Sequence, residues 1–317
     1  NGYFHSTVSQ NSVSVDGYSQ VLRVTTSKPQ HSTPIPARWH SSVHFGVAEG
    51  IFDSAYGGWN FLTGEREKMV VSDVRHARQV LFLRELGVWI VTDRLFCPGK
   101  HRYTQSWCLG PEFTAADVVA CEPGTGIETR AAAGANVAMH VFCESPVTCT
   151  SHVEEKTEDR ALGWRALGWD EDSQRYTPAV DVLTDWEGMG NQLSVVLIVP
   201  SPGKESRVQS IRTLTNDGVT GFEARLTEGG QVTYLASQGG HLAVAGVAVQ
   251  GQALLLTTDA TGQARGVVLA APDNGGYEFE LDGAGVVRKT AAIGVPTGFR
   301  WLDGAEGLRP DYGTAVP

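Results

Sequence analysis

Tyr3 and His5 are the first residues in the chain whose types and spacing could do chemistry. Both side chains can transfer protons in an active site. Residues two positions apart in an extended segment point to the same face. The sequence therefore predicts a candidate pair for proton transfer or substrate contact near the start of the chain.

A short basic cluster, Arg75-His76-Ala77-Arg78, offers a different chemistry. Arginine recognises planar oxyanions through two parallel hydrogen bonds, so this cluster could bind a carboxylate or a sulfate. The alternative is that it forms an ordinary charged sheet edge paired with Asp73. The residues alone leave both interpretations open.

The cysteines indicate little chemistry. Their spacings match no zinc-finger or Cys-x-x-Cys pattern, and free cysteine is among the most buried residue types. We predict small buried thiols, with Cys143–Cys149 as the best candidate for a disulfide. The five are Cys97, Cys108, Cys121, Cys143 and Cys149.

Composition and missing motifs exclude several classes of function. The 317 residues carry 25 Lys and Arg against 35 Asp and Glu, a formal net charge of −10. A globally basic nucleic-acid binder, or a protein that binds anionic lipid avidly, needs a cationic surface instead. A local basic groove for an acidic polymer remains open. The sequence contains no GxSxG elbow, HExxH helix or Walker lysine, so the usual nucleotide and zincin chemistries are excluded.

The elements that must position these residues are β-strands. Ser12–Asp16 alternates apolar and polar residues and ends at Gly17, and the strands Gln79–Arg84 and Val88–Asp93 flank a turn at Glu85-Leu86-Gly87. Turn signals recur at short intervals, and no segment keeps a helical apolar stripe. The sequence therefore predicts an all-β domain over residues 1–317, a large two-layer antiparallel β-sandwich with almost no helix.

Two segments interrupt the regular strand pattern. The polar, Trp-bearing region Glu154–Asp185 is predicted to be a long surface loop. Pro200-Ser201-Pro202-Gly203-Lys204 is the best internal sub-boundary, although a strand connection would explain it equally well.

Three stretches carry motifs in series: Gly2–Gln20, Val74–Phe82 followed by Val88–Leu95, and His101–Pro111. They resemble the segments Y-x-R-S-T-x-x-H-N-T-V-x-V-D-G-x-x-Q, H-x-R-x-V with V-V-D-R, and H-x-Y…W/F-H-L-x-P of heparinase II/III-like polysaccharide lyases, which are related to alginate and oligoalginate lyases. Order and spacing agree over residues 1–113. The remainder continues as β structure without a matching motif.

The resemblance implies a fold and an activity. In that family an N-terminal α/α toroid precedes a C-terminal β-sandwich, and an acidic polysaccharide lies between them. We therefore expect this chain to be the sandwich part of a lyase that cleaves a uronic-acid-containing polymer, alginate or heparin/heparan-like, by β-elimination. The toroid would be a separate or removed portion of the same enzyme, and the protein would be secreted, periplasmic or at the cell surface. We expect the chain alone to lack the full catalytic set.

The resemblance also implies which residues contact substrate, whereas it leaves the main catalytic acid and base outside this chain. A zinc-ligating histidine of the family's H-N-T motif corresponds to Gln10, whose neutral amide is a poor Zn²⁺ ligand. We therefore expect no metal or other cofactor. The residues expected at the substrate are Tyr3, His5, Gln10, Asn11, Arg75, His76 and Arg78.

The alternative function is a non-catalytic module that binds carbohydrate or protein. Surface-accessible tryptophans such as Trp164, Trp169 and Trp186 would favour it, because sugar rings stack on aromatic faces. A glycoside hydrolase would need two carboxylates about 5–9.5 Å apart, which no spacing in this sequence establishes.

Overall fold

A computed structural model describes most of the chain as antiparallel β structure. Two short 3-10 turns, Thr7–Ser9 and Ala115–Asp117, interrupt it. Among the described residues no helix is long and apolar enough to cross a membrane. The described residues are 4, 6–21, 37–41, 43–121, 125–156, 161–168, 175–216, 218–244, 247–260, 264–270, 300–303, 309–311 and 314–315.

A central sheet of nine strands runs through the molecule. Its strands, in spatial order, are β10 (Val118–Cys121), β11 (Gly126–Thr129), β12 (Asn136–Cys143), β19 (Gln192–Ser201), β8 (Val88–Phe96), β7 (Arg75–Leu83), β4 (Phe45–Phe52), β3 (Arg38–Ser41) and β29 (Thr314–Ala315). The predicted hairpin is confirmed: β7 and β8 pair from Leu83↔Val88 outward. Gly87 has the positive φ of +60° that such a turn favours in glycine.

A seven-stranded sheet covers one face of the central sheet. Its strands are β20 (Val208–Thr213), β21 (Val219–Leu226), β22 (Gln231–Ser237), β25 (Ala253–Thr258), β26 (Ala264–Ala270), β27 (Arg300–Asp303) and β28 (Arg309–Asp311). Apolar side chains from both sheets form one buried core, in which Phe142 of β12 stacks on Phe222 of β21 at a ring-centroid distance of 5.0 Å.

Smaller sheets pack on the opposite face. One contains β1 (Val13–Val15), β9 (Lys100–Cys108), β18 (Val180–Met189) and β13 (Thr148–Val153), and the other contains β2 (Ser19–Val21), β5 (Ala55–Trp59) and β6 (Arg66–Val71). Separate two-stranded pairs are β14 (Glu155–Lys156) with β15 (Ala161–Leu162), β16 (Trp164–Gly168) with β17 (Arg175–Pro178), and β23 (His241–Val244) with β24 (Val247–Gln250).

The central sheet is buried on both faces, and β19 shows why. Leu193, Val195 and Leu197 point into the core shared with the seven-stranded sheet. Val196, between them, points into a second core with Trp107 of β9. Alternate residues of a strand point to opposite faces, so the apolar run Leu193–Val199 supplies two cores at once. The predicted all-β antiparallel sandwich is confirmed, and the small sheets add a third layer to the two predicted.

The predicted long loop over Glu154–Asp185 is wrong. Its described parts contain β14 to β17 and the beginning of β18. Leu162 is fully buried in a cluster with Phe61 and Leu183. These strands are too short to show a periodic pattern, so no strand could be predicted there. The segment 200–204 ends β19 and begins the connection to β20 of the other large sheet; the assignment of residues 1–317 to one domain stays a prediction.

The packing of the two large sheets can be tested at Phe222. We expect Phe222→Ala to lower the free energy of unfolding by about 3–5 kcal/mol, because it leaves a cavity between the sheets. Met189→Ala is the control, since Met189 is 69% exposed and surface changes usually stay within about 0.5 kcal/mol. Urea unfolding measures both. Equal, small losses in the two variants would contradict the inter-sheet core.

Candidate functional site

Strand β8 places two neighbouring charged side chains on opposite faces of the central sheet. Arg94 points toward the seven-stranded sheet, where its Nε and Nη2 donate to the carbonyl oxygens of Ser237 (3.2 Å) and Gln252 (2.7 Å). Asp93 points toward the small sheets. The alternation that distributes apolar residues between two cores therefore also directs one charge into each interface.

Asp93 is the centre of a buried polar network. The carboxylate is 0% exposed, and Arg78, directly opposite it on β7, donates to both oxygens from Nε (2.6 Å) and Nη2 (2.8 Å). His76 Nε2 lies 2.6 Å from Oδ1. Gln105 of β9 donates to Oδ2 from the facing sheet at 2.5 Å. Residues from both layers thus converge on one carboxylate.

The network fixes the ionisation state of Asp93. Burial alone raises the pKa of the carboxyl, but the positive charge of Arg78 and the interactions with His76 outweigh it and hold the pKa well below its usual range. The Gln20 side-chain amide nitrogen lies 3.1 Å from His76 Nδ1, so both ring nitrogens of His76 have partners. A carboxylate with so low a pKa is a weak base at neutral pH. Asp93 is therefore suited to positioning its neighbours rather than to taking a proton.

Arg78 connects this network to the first segment of the chain. Its Nη1 donates to the carbonyl oxygen of Asn11, and its guanidinium lies 5.5 Å from the centroid of the Trp107 ring, within the range of a cation–π contact. Asn11 in turn accepts a 2.7 Å hydrogen bond at Oδ1 from the backbone N–H of Cys108. Asn11 is thereby fixed between β7 and β9.

A second polar cluster fixes the turn after β1. Asp16 and Gly17 have φ of +51° and +80°, the positive values that a two-residue type I′ hairpin turn requires. The Asp16 carboxylate contacts His101 Nδ1 at 2.7 Å and accepts the backbone N–H of Arg102 at 2.8 Å. His101 Nε2 lies 3.5 Å from the Asp73 carboxylate. The cluster ties the turn to the start of β9.

The exposed members of the predicted site lie around this network. Gln10 and Asn11 are exposed, and the Gln10 carbonyl accepts a 2.5 Å hydrogen bond from Ser106 Oγ. Arg75 is exposed at the start of β7, with its guanidinium 5.9 Å from the Phe96 ring centroid. Only these predicted side chains, among the described ones, are open to a ligand over much of their surface.

The other residues predicted at the substrate are buried, partly buried or outside the described part of the chain. His76 is 3% exposed, and both its ring nitrogens have partners within the network. The predicted pairing of the basic cluster with Asp73 is wrong, because Arg78 and His76 pair with Asp93. Tyr3 and His5 lie outside the described residues. Contact of the predicted residues with substrate stays a prediction.

Sequence reasoning missed Asp93 and the Asp16–His101 pair. The signal for Asp93 was present: an acidic residue inside the apolar strand Val88–Phe96 requires a partner once it is buried. The signal for Asp16 was its place before Gly17, since Asp-Gly is a strong hairpin sequence. Neither signal reveals which distant residue supplies the partner.

The cysteines carry no disulfide. All five are free, so the predicted Cys143–Cys149 bridge is wrong: both side chains pack as free thiols against the core between the central and the four-stranded sheets. Burial raises the pKa of the Cys143 thiol to about 12. Cys143 is therefore a neutral thiol, as expected of a small buried side chain.

One group of side chains has the types and spacing of metal ligands. It consists of Cys121, Glu128 and His140, at the β10 edge of the central sheet and away from Asp93. Gln10 does not belong to it. The expectation of no cofactor stays a prediction.

Comparison with known proteins identifies structural but not sequence relatives. No protein-family profile matches the chain, and no curated protein does. Solved structures that match include a heparinase III (TM-score 0.46, 13% identity, 71% of this chain and 29% of that one). Another is the heparan sulfate lyase HepC from Pedobacter heparinus (TM-score 0.48, 13% identity, 76% and 32%). A further heparinase III has a TM-score of 0.49 and 10% identity, with 81% and 30% covered.

The chain spans about 30% of the length of these solved structures. Similarity at this level of identity concerns the fold alone.

The structural role of Asp93 can be tested by Asp93→Asn. We expect the free energy of unfolding to fall by about 3 kcal/mol or more, because Arg78 then remains largely buried without its countercharge. Glu187→Gln is the control, since Glu187 forms an exposed ion pair with Lys100, and no measurable loss is expected there. Urea unfolding at neutral pH measures the difference.

The same pair of proteins gives a pH test. The folded-state pKa of Asp93 is lower than the unfolded one, so its stabilising contribution is complete above the unfolded pKa of about 3.9 and is lost as pH falls below it. The stability gap between the natural protein and Asp93→Asn should therefore shrink between about pH 5 and about pH 2. A gap independent of pH would contradict a charged, buried Asp93.

Proposed function

We propose that this chain is the β-sandwich portion of a polysaccharide lyase that cleaves a uronic-acid-containing acidic polysaccharide, alginate or heparin/heparan-like, by β-elimination. The support is that the three motif-bearing stretches, far apart in sequence, meet in one place. Their matching residues contact one another: Asp16 with His101, and Arg78 with both Asn11 and Asp93. The first stretch thus contacts the third through Asp16 and the second through Asn11.

In this proposal the network positions the first segment rather than performing the chemistry. Elimination needs a group to take the C5 proton, a group to protonate the leaving oxygen, and a cation or hydrogen-bond donor to stabilise the charge that develops at the carboxylate. Tyr3 and His5 precede the anchored residues Gln10 and Asn11. Anchoring would hold that segment at a cleft with the toroid portion, which would supply the remaining catalytic groups.

Recognition of an acidic polymer by this chain requires a local cationic group, since the net charge is −10. Arg75 fits that requirement better than its neighbours. The carboxylate of Asp93 already engages Arg78, and His76 is buried, whereas Arg75 is exposed at the end of β7. We infer that Arg75 contacts a substrate carboxylate or sulfate, and that the protein acts outside the cytoplasm where such polymers occur.

A non-catalytic carbohydrate-binding module is the second candidate. Of the tryptophans expected to favour it, Trp164 is partly buried, with its Nε1 donating to the carbonyl oxygen of Glu155 at 3.3 Å. Trp186 is buried against Tyr103, and Trp169 lies outside the described residues. The observation that favours this candidate is elsewhere. Trp89 is 39% exposed and stacks on Phe82 with ring centroids 4.2 Å apart, and Arg84 lies 5.8 Å above the Phe82 ring.

The Trp89–Phe82–Arg84 surface has the chemistry to receive a sugar ring and an anionic substituent. It lies at the opposite end of the β7–β8 hairpin from Arg75, about 23 Å away at the rise of an extended strand. The two candidate functions therefore predict binding at different ends of one hairpin, and single substitutions can separate them.

Binding of heparan sulfate and of alginate, measured by titration calorimetry at low ionic strength, tests the proposal. We expect Arg75→Ala to weaken binding about 10-fold, the lower end for a hydrogen bond to a charged group. Trp89→Ala and the control Arg212→Ala should leave it unchanged, because Arg212 is an exposed arginine on β20 of the other sheet. Dextran should not bind.

Loss of binding in Trp89→Ala with no change in Arg75→Ala would establish the second candidate in place of the first. Absence of binding to every acidic polysaccharide would contradict both.

For activity, the enzyme that includes the toroid portion should release unsaturated uronate, detected by ultraviolet absorbance, and the isolated 317-residue chain should not. Robust turnover by the isolated chain would contradict the proposed division between sandwich and toroid.

A further inference from the structure

Three adjacent strands bring a thiol, a carboxylate and an imidazole together at one edge of the central sheet. Cys121 of β10 lies opposite Gly126 of β11, and Gly126 lies opposite His140 of β12. Glu128 follows two positions further along β11, on the same side of the strand as Gly126. The ligand atoms of Cys121, Glu128 and His140 all lie within 4.8 Å of one another.

Gly126 allows this convergence. A Cβ atom at this position would overlap the carbonyl oxygen of Met139 on β12, so no larger residue fits without moving the backbone. Gly126 therefore leaves no side chain between Cys121 and His140, which flank it in the same cross-strand row. The two side chains can approach each other across that gap.

His140 is incompletely satisfied. The residue is 5% exposed, and its Nε2 has no hydrogen-bond partner within the described part of the chain. Buried polar groups nearly always have a partner. A buried, unpartnered imidazole nitrogen next to a thiol and a carboxylate is the arrangement expected of a ligand set without its ion.

We propose that Cys121, Glu128 and His140 form a binding site for a zinc-type divalent transition-metal ion. Thiolate, imidazole and carboxylate are the three ligand types that Zn²⁺ takes from proteins. Ligand atoms around tetrahedral Zn²⁺ are about 3.3–3.8 Å apart, given its usual bond lengths. Side chains within 4.8 Å of one another need only small rotations to reach that spacing.

The surroundings suit an ion that enters from solvent. Cys121 and Glu128 are partly exposed, whereas His140 is buried beneath them. Arg130 Nη2 donates to Glu128 Oε2 at 3.3 Å, so one carboxylate oxygen is oriented by an outer partner and the other remains for the ion, as in many metal sites. Three protein ligands leave the fourth position to water. The ion would connect β10 and β11 to β12.

This site is distinct from the position of Gln10, which belongs to the segment bound to β7 and β9. It is also independent of the proposed lyase function, because none of its ligands belongs to the Asp93 network. Zinc at Cys121 would therefore be compatible with either candidate function.

Titration of the chelator-treated 317-residue chain with ZnCl₂, followed by calorimetry, tests the site. We expect one ion per chain and a higher thermal midpoint with zinc than without. Cys121→Ser and His140→Ala should each raise the dissociation constant for zinc at least about 100-fold. Substituting a residue that only hydrogen-bonds to a ligand already lowers metal affinity about 10- to 100-fold. Cys108→Ser is the matched control and should bind zinc like the natural protein.

Cobalt substitution gives a readout that depends on ligand identity. Co²⁺ in the natural chain should show a thiolate-to-cobalt absorption band in the near ultraviolet, and Cys121→Ser should lack it while Cys108→Ser keeps it. Circular dichroism of the metal-free variants verifies that each is folded. Failure of the folded natural chain to bind zinc, zinc binding that survives both ligand substitutions, or a cobalt band that requires Cys108 would each overturn the proposal.

Discussion

The buried charge of Asp93 is the constraint on which the candidate site depends. A carboxylate removed from water must be compensated by donors and positive charge at close range, and here Arg78, His76 and Gln105 supply them from two layers of the sandwich. The ion pair with Asp93 also fixes the position of the Arg78 guanidinium, and its Nη1 donates to the backbone carbonyl of Asn11. The buried ion pair of Asp93 with Arg78 thereby helps to position Asn11, which is exposed at the surface.

The three-layer arrangement explains why the buried charge of Asp93 affects more than one sheet. Because the central sheet is covered on both faces, each of its inner strands carries two sets of contacts, and a single strand can serve two interfaces. Strand β8 uses Asp93 toward the small sheets and Arg94 toward the seven-stranded sheet. The proposed substrate surface and the core beneath the seven-stranded sheet lie on opposite faces of the central sheet. Strand β8 connects them, because its adjacent residues Asp93 and Arg94 contact one side each.

The parts of the fold that follow from local pattern were predictable, and those that follow from register were not. The β7–β8 hairpin has regular strands and a glycine turn, and its prediction is confirmed. Strands β14 to β17 are too short to show alternation between apolar and polar residues, so a loop was predicted in their place. The family resemblance named Asn11 and Arg78 among the residues at the substrate, but the place of Asp93 between β7 and β9 depends on a pairing of distant segments that no spacing in the sequence reveals. The grouping of Cys121 with His140 depends on the register of the consecutive strands β10, β11 and β12.

The pairing of β1 with β9 has a consequence for the order in which the chain acquires its structure. Val13 pairs with Gln105, and Asp16 contacts His101, so the segment that contains β1 lacks these partners until β9 has been synthesised. Strands β7 and β8 form a hairpin from local contacts alone, whereas β9 pairs with β1 and with the distant β18. We expect the segment that contains β1 to be added late, after β9 is in place, so that Gln10 and Asn11 take their final positions only after that step.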